Sequence, residues 1–213
     1  MFVTSPKRGR ASEEMITDRF LVLYMINKVR SGIGKTKLQK LVYLSEMDMK
    51  LQGQKGFNFN FVKLPYGPYS ADLKNDIEEL QNLKLISKDY YKSTRKGSNI
   101  LKNFDHIIQK NDIFFEKIDQ VIRKYANIDR DILVHIVHEM KNLERPWLSI
   151  KDTKQGSYIL KKLRITHQDR VFQLSENDIA ELEIYLDSET YYDLVESLQE
   201  AKSQKSIPLS EVI

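Results

Sequence analysis

A mainly helical α+β fold is predicted: a compact helical domain with one small β-hairpin and an N-terminal half in winged-helix-like order. Three observations point there. Apolar residues recur at helical spacing along most of the chain. One run, Phe57-Asn58-Phe59-Asn60-Phe61, alternates with period 2 as a strand does. Directly after it stands Leu64-Pro65-Tyr66-Gly67-Pro68-Tyr69-Ser70, where two prolines each fix φ at about −65° and Gly67 tolerates geometry that other residues do not.

In chain order, Ser12-Glu13-Glu14-Met15 marks a helix start, and Phe20-Leu21-Val22-Leu23-Tyr24-Met25 belongs to a buried helix that Gly32 and Gly34 close. Thr36-Lys37-Leu38-Gln39 fits a capping box for a second helix, with Leu38, Leu41, Val42, Ser45 and Met49 on one face. After the aromatic strand and the proline corner, Ser70 caps a third helix that turns Leu73, Ile77, Leu80 and Leu83 inward. Leu85 to Tyr91 is expected as a second strand, followed by a basic turn from Lys92 to Gly97 in the place of a wing.

Beyond it, Phe114, Ile118, Val121, Ile122 and Tyr125 form one helical stripe. Leu133, Ile136, Val137 and Met140 form another, stopped by Pro146 and Trp147. A helix over Gly156 to Leu163, an extended link at Val171 to Leu174 and a helix capped by Ser175 complete the body. Tyr191, Leu194, Val195 and Leu198 then mark a last amphipathic helix before the extended Ser206-Ile207-Pro208-Leu209. The organisation expected is a flexible basic N-terminus over residues 1–12, a globular domain over 13–187, and a helix plus extended tail over 188–213.

Composition bounds the function. The 213 residues are 41% hydrophobic and 30% charged, which describes a soluble globular chain with material for a core. No apolar run approaches the roughly 20 residues a membrane helix needs, and a cytoplasmic location is expected. Without cysteine there is no disulfide framework, no thiolate zinc site and no thiol nucleophile. The net charge of +4 is uneven: residues 174–213 hold ten acids against Lys202 and Lys205, so the remainder carries +12. A basic body with an acidic tail suits nucleic-acid contact by the body, and equally a tail packed on its own domain.

Catalytic patterns are thin. Gly32-Ile33-Gly34-Lys35-Thr36 lacks the phosphate-loop glycine, Val29 standing in its place, and it follows a helix rather than a strand. His135 and His138 lie i, i+3 with Glu139 beside them but have no third ligand at a zinc spacing, so surface or interface placement is expected and no metal or cofactor. Asp72, Asp76, Glu78 and Glu79 suit a solvated helix face better than a carboxylate pair. An enzyme is not the expected class. For a DNA-binding regulator, the phosphate-contact candidates are Lys35, Lys37 and Lys40 with Lys92, Arg95 and Lys96 of the basic turn.

Thr36-Lys37-Leu38-Gln39-Lys40-Leu41-Val42-Tyr43-Leu44 resembles the opening helix of the Panacea antitoxin domain (SocA-like, phage-associated). The aromatic run 57–61 with Tyr66-Gly67-Pro68, Val121 with Tyr125, His138 with Pro146-Trp147, and Ser175-Glu176-Asn177-Asp178-Ile179 resemble its later elements in order. The likeness touches about residues 15 to 186. It implies an antitoxin that binds and neutralises a cognate toxin, with promoter autoregulation, a homodimer and proteolytic-adaptor action as further expectations. The segment from Leu198 to Val212 resembles the ending of small type II antitoxins, with Gln204 where a glycine is usual. Toxin contact is accordingly expected at Tyr66 and Tyr69, along Tyr191, Leu194, Val195 and Leu198, and at Ile207 and Leu209.

Overall fold

A computed structural model describes residues 10–163 and 170–203, and among them 59% of the chain is helical with several small sheets. Two helices form the centre. α1 (Ser12–Lys28) is buried at every position from Ile16 to Ile26, and α2 (Lys35–Leu51) is buried from Leu38 to Glu46. A helix covered on all sides needs neighbours all round. α3 (Ala71–Asn82), α4 (Arg95–Asn103), α5 (Asp105–Lys110), α6 (Asp112–Tyr125) and α7 (Arg130–Glu139) supply them, with α8 (Glu176–Leu186) closing over α1. Edge-to-face pairs of Phe20 with Phe104 and Phe115, at 6.4 and 6.2 Å, join α1 to this outer layer.

The caps explain several boundaries. Ser70 Oγ accepts from the Leu73 N–H at 3.3 Å and starts α3 as expected. Ser175 and Asp178 form a capping box at the start of α8. Two expectations fail here. α2 begins one residue before Thr36, with Gly34 at its N-cap and no side-chain cap, so the capping box at Thr36 does not form. α7 ends at Glu139, well before Pro146 and Trp147, which lie in a strand.

The sheets differ most from expectation. β1 (Gln54–Lys55) pairs in parallel with β7 (Arg170–Val171), β4 (Lys141–Asn142) with β5 (Arg145–Ser149), and the order β3-β2-β6 joins β2 (Phe61–Leu64), β3 (Gly67–Tyr69) and β6 (Tyr158–Leu160). The strand expected over 57–61 starts only at Phe61. Phe57 and Phe59 are wholly buried in a non-strand segment, where the N–H and side-chain amide of Asn58 both donate to Asp18. Gly156 to Leu163 is not a helix, since β6 there pairs with β2.

Leu85 to Tyr91 is not a strand either. It contributes only the isolated bridges Ile33–Tyr91 and Ile86–Ser93. The basic stretch is no wing, because Thr94 Oγ1 accepts from the Gly97 N–H and turns Arg95 and Lys96 into the first residues of α4. α9 (Ser188–Ser203) ends the described chain, and among the described residues no helix is long and apolar enough to cross a membrane.

Candidate functional site

Two separated stretches of sequence meet at one corner. Gln39 and Lys40, adjacent on α2, both reach the outer edge of β3. The Gln39 amide donates to the Ser70 carbonyl at 3.0 Å and accepts from the Ser70 N–H at 2.8 Å. Lys40 Nζ donates to the Pro68 carbonyl at 2.8 Å. In an antiparallel ladder alternate residues face outward, and Pro68 has no N–H to offer. The polar groups on this edge are therefore held by side chains of α2, and strand addition is blocked.

The hairpin itself turns at Pro65 and Tyr66, with Leu64 paired to Gly67. Gly67 has φ +90°, and a Cβ there would lie 3.1 Å from both Cδ2 and Nε2 of His138. Only glycine lets the hairpin bend this way beneath α7. His138 Nε2 is buried without a hydrogen-bond partner among the described residues, and burial, then Lys63 and Lys40, hold the imidazole below its ordinary pKa.

The electrostatics of the corner are one-sided. Lys40 is 3% exposed, and burial, then Lys63, push its pKa down to about 7. Lys63 is 8% exposed, lowered by burial, and donates to the Leu64 carbonyl at 3.0 Å. Among the described residues neither lysine has a carboxylate within ion-pair distance. Outside, Lys40 lines a cleft of about 270 Å³ between the first turn of α2 and the hairpin residues Leu64 to Tyr69. Tyr66 stands at its rim, 70% exposed, and Tyr69 is half-buried.

The other expected contacts fall elsewhere. Tyr191 is half-buried, with Lys96 Nζ 4.6 Å over its ring, while Leu194 and Leu198 are exposed and Val195 half-buried on α9. Ile207 and Leu209 lie outside the described residues, as do residues 1–9 of the N-terminus expected to be flexible. In the phosphate-contact set, only Lys40 is buried away from the surface. Lys40 is buried under the hairpin, Lys37 donates to the Ala126 carbonyl at 2.8 Å, and Lys96 donates to the Leu83 carbonyl at 3.3 Å. Lys35, Lys92, Arg95 and Lys96 are exposed.

Asp76 is also a correction, since it is no part of a solvated face. Arg10 bridges Asp18 and Asp76 at 2.6 Å each, and Arg19 joins Asp76 at 3.2 Å to Asp187 at 2.9 Å. This buried network ties the chain ahead of α1 to α3 and to the start of α9, and burial pushes Asp18 up to about 7 against the pull of Arg10. Its signal was present in the sequence: Asp76 falls at i+3 from Leu73 and i−4 from Leu80, on the buried stripe. His135 is exposed, and among the described residues no group of three His, Asp or Glu side chains is placed to hold a metal ion.

These residues define a mainly helical α+β domain in which a short hairpin is clamped, by side chains, to a buried helix. The chain belongs to the antitoxin SocA-like, Panacea domain family, whose model matches residues 38–147. The matched segment contains α2 from Leu38, the hairpin, α7 and Trp147, whereas Ser175–Ile179 and α9 lie beyond it. No curated protein and no solved structure matches the chain.

Proposed function

We propose that this protein is the antitoxin of a toxin–antitoxin module and neutralises its toxin by direct contact. The contact surface proposed is the Tyr66–Tyr69 corner together with the α9 stripe of Tyr191, Leu194, Val195 and Leu198. The observation that carries the reading is the placement of the corner. It lies inside the segment matched by the antitoxin family, and its hairpin is held from behind by hydrogen bonds from Gln39 and Lys40, with the His138 ring close over Gly67. A rigid, exposed tyrosine above an apolar cleft is the kind of group that anchors protein interfaces.

α9 supports the same reading. Beyond Tyr191 it leaves Tyr192, Leu194 and Leu198 exposed between Asp193, Glu196 and Glu200, the pattern of a helix that lies in a partner's groove. A DNA-binding role is not adopted, because Lys40 is buried under the hairpin and Lys37 and Lys96 are tied to backbone carbonyls of the domain.

Co-expression with the product of the neighbouring gene tests the proposal. Wild type restores growth, Tyr66→Ala reduces protection, and a chain ending at Tyr191 folds but protects less. Full protection by the double variant removes both surfaces from the account. Toxin abundance separates two modes of action: it stays level under occlusion and falls under delivery to a protease.

A further inference from the structure

We propose that the cleft above Lys40 is a carboxylate-binding site, filled by an Asp or Glu side chain from an acidic, partly apolar segment of the partner protein. This rests on the reading that the Tyr66–Tyr69 corner meets that partner, and adds the chemistry it recognises.

Lys40 and Lys63 are both buried, and each ammonium makes a single hydrogen bond, to a backbone carbonyl. An ammonium has three protons to donate, so each keeps two without an acceptor among the described residues. Buried charges are ordinarily paired, because desolvation without a counter-charge weighs against the fold. Here the nearest titratable neighbours add no negative charge. Lys40 feels Lys63, and His138 on α7 feels Lys63, Lys40 and His135, with Glu139 alone opposing; Glu139 is itself held by Lys151 at 2.8 Å.

Lys40 is among the residues that line the cleft between α2 and the hairpin. Arg10 and Arg19 are enclosed and satisfied by Asp18, Asp76 and Asp187. The cation that lacks a counter-charge among the described residues thus stands at the wall of a cleft that a ligand can fill. Leu64, Pro65, Tyr66 and Tyr69 line the cleft on the hairpin side, and Lys35, Thr36 and Gln39 line it with Lys40 on the α2 side. Such walls accept a carboxylate on an apolar stem.

The test uses 3-phenylpropanoate and its uncharged amide as probes on the full chain, read by thermal shift and calorimetry at constant ionic strength. The carboxylate raises the Tm at pH 6.5 and the amide does not. Binding weakens by roughly tenfold per pH unit above 7 as Lys40 loses its proton. Lys40→Met abolishes the response while its own unliganded Tm is equal to or above that of wild type, which a merely structural lysine does not predict. Lys63→Met, the second variant, weakens binding several-fold.

No response by wild type, or an equal response by Lys40→Met, overturns the proposal. So does a Lys40-dependent response to inorganic phosphate or a short DNA duplex that exceeds the response to the carboxylate. Equal toxin protection by wild type and Lys40→Met overturns it too, and leaves the antitoxin reading standing. Absence of protection by wild type counts against that reading alone, since the probe titration requires no toxin.

Discussion

At Gly67 one missing Cβ decides whether the corner exists. The residue sits at φ +90° with the His138 ring where a side chain would go, so Gly67→Ala meets a backbone penalty and a steric one. A loss of roughly 2–4 kcal/mol is expected in urea unfolding. The double variant with His138→Ala recovers only the steric share, and full recovery would exclude the backbone penalty. Lys40 weighs both ways: its hydrogen bond to the Pro68 carbonyl holds the hairpin, while the charge it buries weighs against the fold. Its folded pKa of about 7 lies below the ordinary lysine value. The destabilisation it causes is therefore complete below pH 7 and fades as pH rises toward about 10.4, where the unfolded chain also loses the proton. Lys40→Met is expected to gain about 1–3 kcal/mol at pH 6 and to lose that advantage by about pH 10, measured as paired unfolding curves. A gain that is constant across this range would mean that Lys40 is not the titrating group.

Helices and strands were unequally legible. Stripes such as Leu73, Ile77 and Leu80 located helices because a 3.6-residue repeat is written locally, and Ser70 and Ser175 announced their own helix starts. The corner was legible as a turn but not as a clamp, since Gln39, Lys40 and His138 reach it from helices far away in sequence. Phe57-Asn58-Phe59-Asn60-Phe61 misled for a physical reason: all three rings are buried, but Asp18 takes the Asn58 N–H that a ladder partner would need. The strands are two to five residues long, too short for periodicity to mark. One helix end offers a clean test. After α3 the Leu85 N–H donates to the Leu80 carbonyl at 2.9 Å and the Lys84 N–H to the Gln81 carbonyl at 3.0 Å, a Schellman motif with Lys84 at φ 59° in the place glycine prefers. Lys84 is exposed, so Lys84→Gly should stabilise by about 0.5–1 kcal/mol in chemical unfolding, and a loss of stability would show that its side chain holds something.

Over the whole molecule, charge separates the two partner classes the sequence left open. Six cations were candidates for phosphate contact, but Lys37, Lys40 and Lys96 donate to carbonyls of the domain itself, which leaves Lys35, Lys92 and Arg95. α3, the helix ahead of the expected wing, places Asp72, Glu78 and Glu79 at its surface, and its Lys74 is tied to Glu78 at 3.1 Å. A backbone phosphate meets repulsion there rather than a docking face. If every remaining cation reached a phosphate, log K for duplex DNA would fall against log salt with a slope of about −3, whereas all six would give about −5. Binding to a random duplex is therefore expected to be weak, with a slope no steeper than about −3, and to flatten further in Lys35→Ala, Lys92→Ala and Arg95→Ala. A slope near −5 in the wild type that falls only to about −3 when those three are changed would mean that the domain opens to release Lys37, Lys40 and Lys96. The DNA-binding reading would then displace the one adopted here, because the hairpin clamp and phosphate contact use the same lysine.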